Sequence, residues 1–200
     1  LDNYSDLLCI GTVGDIVELK SENRVFVKRG LVNIQESDRV GVNALVQTAG
    51  IAGKKITSGN VSFTLVPRIN AVGRLGFSGK SVSLLLTEDE TEAMEIAKQL
   101  NDDNTERKEI EQKILFMIDD MVKSRPEIMY DRVLVIDGEG WHQGVVGIVA
   151  SRLAEKYACP TFMICVQDGR GKGSCRSFGG FNLFRALESC ADLLEGFGGH

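Results

Sequence analysis

The most regular pattern of apolar and polar residues lies in the middle of the chain, between Thr87 and Pro126. It begins with Thr87-Glu88-Asp89-Glu90, where a threonine is followed three residues later by a glutamate, as in a capping box. No proline follows until Pro126, and apolar residues recur at intervals of three and four, at positions 93, 96, 97, 100, 110, 114, 117, 118 and 121. This spacing predicts one long helix of about 37 residues, roughly 55 Å in length.

Two polar residues, Asn104 and Arg107, occupy the apolar stripe of this helix. One explanation is a helix break at residues 101–104, because two asparagines and two aspartates form a poor helix centre. The other is a continuous helix that crosses a gap between two lobes, where this face meets polar groups. The sequence leaves both explanations open.

Shorter apolar runs predict small elements before the long helix. Residues 7–10 are apolar and lead into the glycine-flanked segment 11–15, which is typical of a short buried strand or helix end followed by a loop. The other elements predicted here are a helix over 37–49, a short element beginning at 57–60, a loop or helix edge at 67–74 and a short buried helix at 81–86.

The segment after Pro126 alternates between strand and helix patterns. Residues 132–137 and 160–166 read as strands on either side of a helix over 142–157, which predicts a right-handed β-α-β unit with parallel strands. A glycine-rich strand over 171–178 follows, and Asn182 is expected to cap a helix that ends at Gly196. The fold class predicted is α/β, with two lobes joined by the long helix.

The net charge of −5 is distributed unevenly along the chain. Residues 1–86 hold ten basic and seven acidic side chains, whereas residues 87–131 hold six basic and fourteen acidic ones. The remaining segment, 132–200, has seven of each. Because local charge matters more than the total for an anionic ligand, the flanking segments stay compatible with nucleic acid.

Several protein classes are not supported by the sequence. No apolar run approaches the roughly 20 residues of a membrane span. The five cysteines include no C-x-x-C pair, so neither a disulfide scaffold nor a zinc site is expected. Instead, we expect reduced thiols in a cytoplasmic protein. The chain starts without a signal peptide or initiator and stops within a motif at its C-terminus, so a fragment is expected.

The residue types that bind phosphate are most concentrated at Gly173-Ser174-Cys175-Arg176-Ser177. Glycine lets the backbone approach a ligand closely, and the arginine guanidinium donates paired hydrogen bonds to phosphate. The segment predicts a phosphate-binding loop, and a tight β-turn has the same composition. The run Gly198-Gly199-His200 favours the phosphate interpretation, because it follows a helix expected to return to the same strand edge.

Two further groups of residues have both functional and structural interpretations. Asp15 follows an apolar run and suits a hard metal ion, but helix-cap and turn aspartates occur in the same setting. Arg68, Asn70 and Arg74 lie in Pro-Arg-Ile-Asn-Ala-Val-Gly-Arg, whose two arginines can donate to successive phosphates or form salt bridges.

Trp141 and His142 stand where the first strand of the second lobe meets its helix. Ligands of α/β folds bind at the carboxyl ends of parallel strands, so His142 is a candidate phosphate or sugar contact. A helix-capping histidine is the alternative. Trp141 can stack on a base, but a single tryptophan more often packs in the core.

These segments together resemble the RecJ-type single-strand-specific DNA exonucleases of the DHH phosphoesterase family. The matching motifs follow the family order and are Gly-Thr-Val-Gly-Asp at 11–15, Pro-Arg-Ile-Asn-Ala-Val-Gly-Arg at 67–74, Trp-His-Gln-Gly-Val-Val-Gly-Ile-Val-Ala-Ser-Arg at 141–152, Gly-Ser-Cys-Arg-Ser at 173–177 and Phe-Gly-Gly-His at 197–200.

The resemblance implies a domain plan and a reaction. Residues 1–86 correspond to the C-terminal part of the DHH catalytic domain, 87–125 to a connecting helix, and 126–200 to a truncated DHH-associated substrate-binding domain. The implied reaction is stepwise 5′→3′ hydrolysis of single-stranded DNA with a pair of Mn²⁺ or Mg²⁺ ions, in DNA repair and recombination. The implied partners are single-stranded DNA and other repair proteins, with no membrane.

The resemblance also implies roles for individual residues. Asp15 is expected to be one metal ligand. The residues expected to contact the phosphate end of the strand are Ser174, Arg176 and Ser177, with Gly198, Gly199 and His200 as part of the same site, and those expected to follow its backbone are Arg68, Asn70, Arg74 and Arg107.

The chain departs from the family pattern in one respect. The family's Asp-x-Asp motif, its next aspartate and its Asp-His-His triplet are absent, and one carboxylate does not form a two-metal centre. We therefore expect the chain alone to be inactive. Two alternatives stay open: a catalytically inactive DHH-related nucleic-acid-binding protein, and a DHH phosphodiesterase acting on short oligonucleotides or cyclic dinucleotides.

Overall fold

The computed structural model describes residues 2–76, 79–130 and 132–199. The chain divides into two compact units, Leu1–Arg107 and Lys108–His200. In the described residues the first unit is helical and the second contains a three-stranded sheet. The predicted α/β fold with two lobes and a long helix is confirmed. The assignment of 1–86, 87–125 and 126–200 to domains of the family stays a prediction.

The first unit is built from short helices packed around an apolar core. Segment 7–10 lies in a helix, so the strand alternative is wrong. Segment 67–74 is helical too, and Pro67 fits because it lies in the first turn, where a missing N–H is tolerated. The helices are α1 (Ser5–Gly14), α2 (Ser21–Gln35), α3 (Val40–Thr48), α4 (Ser58–Asn60), α5 (Val66–Leu75) and α6 (Gly79–Leu86), with a π-helical turn, Val61–Leu65, between α4 and α5.

Helix α2 was not predicted from the sequence. Its apolar stripe is short, with Val27 and Ile34 buried, while Val25 and Val32 remain more than half exposed. Gly30, which disfavours a helix in isolation, is where α2 approaches α1. A Cβ at this position would lie 2.2 Å from the Ser5 carbonyl oxygen. Tertiary packing therefore selects a residue that helix propensity disfavours.

The long helix α7 runs without a break from Glu90 to Ser124, which excludes the break at 101–104. Its cap lies two residues after the predicted one. Asp89 Oδ1 accepts a hydrogen bond from the Glu92 backbone N–H at 2.8 Å, while the Thr87 hydroxyl bonds to the Glu92 carboxylate. The predicted capping box at Thr87 is therefore wrong, because Asp89 takes the cap position.

The buried face of α7 is polar at its centre. Its buried positions alternate at intervals of four and three, at 93, 97, 100, 104, 107, 111, 114 and 118. Asn104 and Arg107 share a hydrogen bond of 3.2 Å, and Glu111, which the sequence did not single out, forms a 2.6 Å ion pair with Arg152. Polar residues on this stripe thus occupy helical core positions, where the hydrogen bond and the ion pair offset part of the cost of burying them.

The second unit contains the predicted β-α-β arrangement. Strand β1 (Leu134–Glu139), helix α8 (Gln143–Tyr157) and strand β2 (Thr161–Gln167) follow one another, and β1 pairs with β2 in parallel. Strand β3 (Arg170–Arg176) pairs with β2 in the antiparallel sense. The sheet order is β1-β2-β3, so β3 is an edge strand in the described residues. Helix α8 contacts both β2 and β3.

The last helix, α9, covers Leu183–Glu188 and ends well before the predicted Gly196. Asn182 caps it as predicted, since its side-chain oxygen accepts from the Arg185 N–H at 3.0 Å. A single 3₁₀ turn, Ala191–Leu193, follows it. No residue of either element is buried. Packing against the described core therefore does not stabilise a longer helix.

Candidate nucleic-acid interface

The segment predicted as a phosphate-binding loop is a strand in the structure. Ser174 and Arg176 belong to β3, so the strand expected over 171–178 is confirmed at Arg170–Arg176, and the loop and tight-turn interpretations of 173–177 are wrong. Gly171 and Gly173 lie in β3 opposite β2. A Cβ at Gly171 would lie 3.0 Å from Ile164 Cγ2, and a Cβ at Gly173 would lie 3.6 Å from the Met163 carbonyl oxygen. The candidate side chains are therefore fixed by a ladder of backbone hydrogen bonds.

Arg176 is held in place by oxygen atoms that carry no charge. Its Nε–H donates to Ser151 Oγ at 2.8 Å, and its Nη1 donates to the Cys175 carbonyl oxygen at 2.7 Å and to Ser174 Oγ at 3.4 Å. Ser151 belongs to α8, so the contact joins this helix to β3. The guanidinium is oriented without losing its positive charge.

No carboxylate neutralises Arg176 within the part of the chain that the structure describes. Burial raises the pKa of the neighbouring Cys175 thiol, against the opposing effect of the Arg176 charge, so this neighbour stays neutral at physiological pH. Arg176 is also exposed. An exposed, oriented and unneutralised guanidinium has the properties of an anion-binding group.

Ser177 and the glycine pair near the C-terminus belong to the phosphate site predicted from the sequence. The hydrogen bonds of the described residues do not connect them to Arg176. The Ser177 hydroxyl donates to the Phe181 carbonyl oxygen, which closes the turn after β3. Gly198 and Gly199 are exposed and follow Phe197, whose ring packs on Phe184 with 5.5 Å between centroids. His200 lies outside the described residues.

His142 lies at the opposite end of the strands from Arg176. Leu134 pairs with Thr161, which pairs with Arg176, whereas His142 follows Glu139 at the other ends of these strands. The five intervening residue steps correspond to about 17 Å. The structure therefore does not bring His142 to the Arg176 site.

The first residues of α8 explain what His142 and Trp141 do in this fold. His142 Nδ1 accepts a hydrogen bond from the Gly144 N–H at 3.2 Å, so His142 is the helix cap. Trp141 is 5% exposed and packs against Gly138, where a Cβ would lie 2.1 Å from the indole ring. The capping and packing alternatives describe these two residues.

The predicted arginines of the first unit divide into two kinds. Arg68 donates to the Thr64 carbonyl oxygen at 2.6 Å and to Asn101 Oδ1 at 3.1 Å, and burial lowers the pKa of its guanidinium. Asn70 and Arg74 instead line an open cavity of about 380 Å³ beside Ser81. Within α5, the second pair is the better placed to meet a ligand.

Asp15 and Arg107 do not form a binding centre in the structure. Asp15 is exposed at the C-terminus of α1, where its N–H donates to the Gly11 carbonyl oxygen. Across residues 2–76, 79–130 and 132–199, no group of three or more His, Cys, Asp or Glu side chains is placed to hold a metal ion. Arg107 is 8% exposed, so its guanidinium lies in the interior.

Sequence reasoning missed two residues beside Arg176. Ser151 contacts the guanidinium directly, and Gly147 lies one helical turn before it, where a Cβ would lie 2.9 Å from Ser174 Oγ. Their four-residue spacing on α8 places both on one face of the helix. The sequence alone does not show that this face of α8 packs against β3, because β3 is distant in sequence.

Comparison with known proteins shows what the chain is similar to. Residues 127–200 match the DHHA1 domain model. The single-stranded-DNA-specific exonuclease RecJ of Bacillus subtilis is 37% identical over 100% of this chain, and that of Thermus thermophilus is 38% identical over 98% of it. Over almost its whole length the chain is similar to a part of these RecJ exonucleases.

Solved structures extend the similarity to the fold. RecJ of Thermus thermophilus in complex with Mn²⁺ matches the whole chain with a TM-score of 0.88 and 36% identity, and the Mg²⁺ complex matches it with a TM-score of 0.85. The chain spans 25% of the Bacillus RecJ and 28% of the Thermus one. In the described residues, no helix is long and apolar enough to cross a membrane.

Proposed function

We propose that this chain is the strand-binding part of a RecJ-type exonuclease and that it holds single-stranded DNA through phosphate groups. The observation that carries the proposal is the exposed Arg176 guanidinium, which uncharged acceptors orient and no described carboxylate neutralises. Phosphate is an anion whose oxygens match the guanidinium geometry. Asn70 and Arg74 of the first unit supply a second contact with the backbone of the strand.

The whole protein, in this proposal, removes nucleotides from single-stranded DNA in the 5′→3′ direction during repair and recombination, together with other repair proteins. RecJ proteins, which share the fold, have been solved with Mg²⁺ or Mn²⁺, and Asp15 is the residue of this chain proposed to contact such an ion. The described residues do not fit a complete metal centre, because no group of three or more His, Cys, Asp or Glu side chains among them is placed to hold a metal ion. The chain alone is therefore expected to bind DNA without cleaving it.

Binding is tested by fluorescence anisotropy with a 5′-phosphorylated single strand of about 20 nucleotides. Affinity should fall as salt rises, because phosphate contacts release counterions. Arg176→Ala should weaken binding about tenfold and reduce the salt dependence by about one ion. Arg125→Ala is the matched control, since it removes one exposed positive charge away from β3.

Two outcomes would contradict the proposal. One is an affinity that does not change with salt, and the other is equal weakening by Arg176→Ala and Arg125→Ala. A dinucleotide competitor separates the phosphodiesterase alternative, since a protein built for short substrates would bind the dinucleotide as tightly as the long strand.

A further inference from the structure

Arg176 depends on a chain of hydrogen bonds that starts on α8. The Ser151 hydroxyl donates to the Gly147 carbonyl oxygen at 3.2 Å, so its hydrogen is directed along its own helix. Its lone pairs then face Arg176, whose Nε–H donates to the same oxygen at 2.8 Å. Ser151 is thereby held as an acceptor for the guanidinium.

The bare backbone at Gly147 makes room for this arrangement. A Cβ there would lie 2.9 Å from Ser174 Oγ and 3.3 Å from Arg176 Nη2. Both distances are shorter than ordinary carbon contacts, so any larger residue would displace these two side chains. Gly147 is buried, which leaves them no free space on the helix side.

With Nε and Nη1 occupied, Nη2 is the part of the guanidinium that remains for a ligand. Among the described residues it donates no hydrogen bond. A long arginine side chain loses rotamer entropy when it is fixed, and contacts made before the ligand arrives lower that loss on binding.

We propose that Gly147 and Ser151 are positioning residues that preorganise Arg176 for one phosphate group of the strand. Ser151 orients the plane of the guanidinium, and Gly147 keeps Nη2 and Ser174 Oγ side by side. Neither residue touches the DNA in this scheme. The proposal rests on the phosphate-binding role of Arg176 proposed above.

A double-mutant cycle on DNA affinity tests the role of Ser151. Ser151→Ala should weaken binding of the 5′-phosphorylated strand about fivefold, as expected for one lost hydrogen bond of roughly 1 kcal/mol. Ser151→Thr keeps the hydroxyl and should restore affinity to within about twofold. In the Arg176→Ala background, Ser151→Ala should have no further effect, because there is no guanidinium left to orient.

The control for Ser151 is Ser189→Ala, which removes a hydroxyl that also donates to a helix carbonyl, that of Ala186 at 2.7 Å. It should leave affinity unchanged. Equal losses from Ser151→Ala with and without Arg176 would overturn the proposal, since they would show a general structural effect.

Gly147→Ala tests the space requirement and should weaken binding by about three- to tenfold while the far-ultraviolet circular dichroism stays the same. Gly11→Ala is its matched control, because Gly11 is also helical but has open space around it. Unchanged affinity in Gly147→Ala would refute the packing argument. If Arg176→Ala itself has no effect, the proposed function fails; if it weakens binding and both α8 variants do not, only the positioning scheme fails.

Discussion

Individual arginines show how residue type and residue role separate. Arg68 and Arg176 both stand out in the sequence as phosphate-binding candidates, yet Arg68 is committed to Thr64 and Asn101 while Arg176 is exposed beside uncharged acceptors. The motif predicts that an arginine is needed. Whether other residues of the chain accept the hydrogen bonds of its guanidinium depends on acceptors that are distant in sequence. Ser151, at 25 residues from Arg176, could not be identified without the β3–α8 contact.

Cys9 gives a prediction at the same scale. Burial, assisted by the Asp6 carboxylate, raises the pKa of its thiol from 9.0 to about 11. Between these values the unfolded chain releases the proton while the folded chain keeps it, so the unfolding free energy should fall as pH rises, by on the order of 2 kcal/mol. Urea titrations at about pH 8 and about pH 10.5 measure this.

Cys9→Ala is the comparison for that experiment, because it lacks the thiol while other groups titrate as before. The pH-dependent difference between the two proteins isolates Cys9. A parallel decline of both proteins over this range would show that the thiol has no such effect.

Secondary-structure elements were predicted best where their periodicity is long. The β-α-β unit and α7 follow from regular spacing, and the structure confirms both. Helix α2 was missed because its outward face carries valines and Gly30 interrupts its propensity. The sequence of segment 173–177 is compatible with both a strand and a glycine-rich loop, and pairing with β2 selects the strand for residues 173–176.

Gly30→Ala should destabilise the first unit by about 1–3 kcal/mol, because a Cβ would meet the Ser5 backbone oxygen at 2.2 Å and Cys9 Cβ at 2.3 Å. Gly11→Ala on α1 gains the same helix propensity without a clash and should be neutral or slightly stabilising. Urea denaturation of the two variants is the measurement. Equal stability would show that α1 and α2 separate easily.

At the scale of the whole molecule, the two units have separate hydrophobic cores. Cys9, Leu45 and Leu84 belong to the first, while Leu153 and Met163 belong to the second. The long helix and the strand pattern after Pro126 predicted two lobes. They could not predict that Glu111 is buried, because a glutamate in a helix is ordinarily a surface residue and its partner Arg152 comes much later in the chain.

Separate cores predict separate responses to cavities. Leu153→Ala should cost about 2–5 kcal/mol and speed amide hydrogen exchange in β1, β2 and α8, while α1 to α3 keep their protection. Leu45→Ala is the mirror-image control and should expose α1 to α3 instead. Mass spectrometry of exchanged peptides reads out both, and simultaneous loss of protection in both units would contradict the two-core description.

The uncharged oxygens around Arg176 have a consequence for acidity. Two hydroxyls and a backbone carbonyl keep the same charge at every pH in the physiological range. These three partners of Arg176 therefore do not titrate. A rise in affinity through pH 6 reports on the ligand, since a terminal phosphate monoester gains its second charge there and an internal phosphodiester does not, whereas a histidine loses its positive charge over the same range. A flat profile would place an internal phosphate on Arg176, and a profile that rises through pH 6 would place the strand's phosphorylated end there.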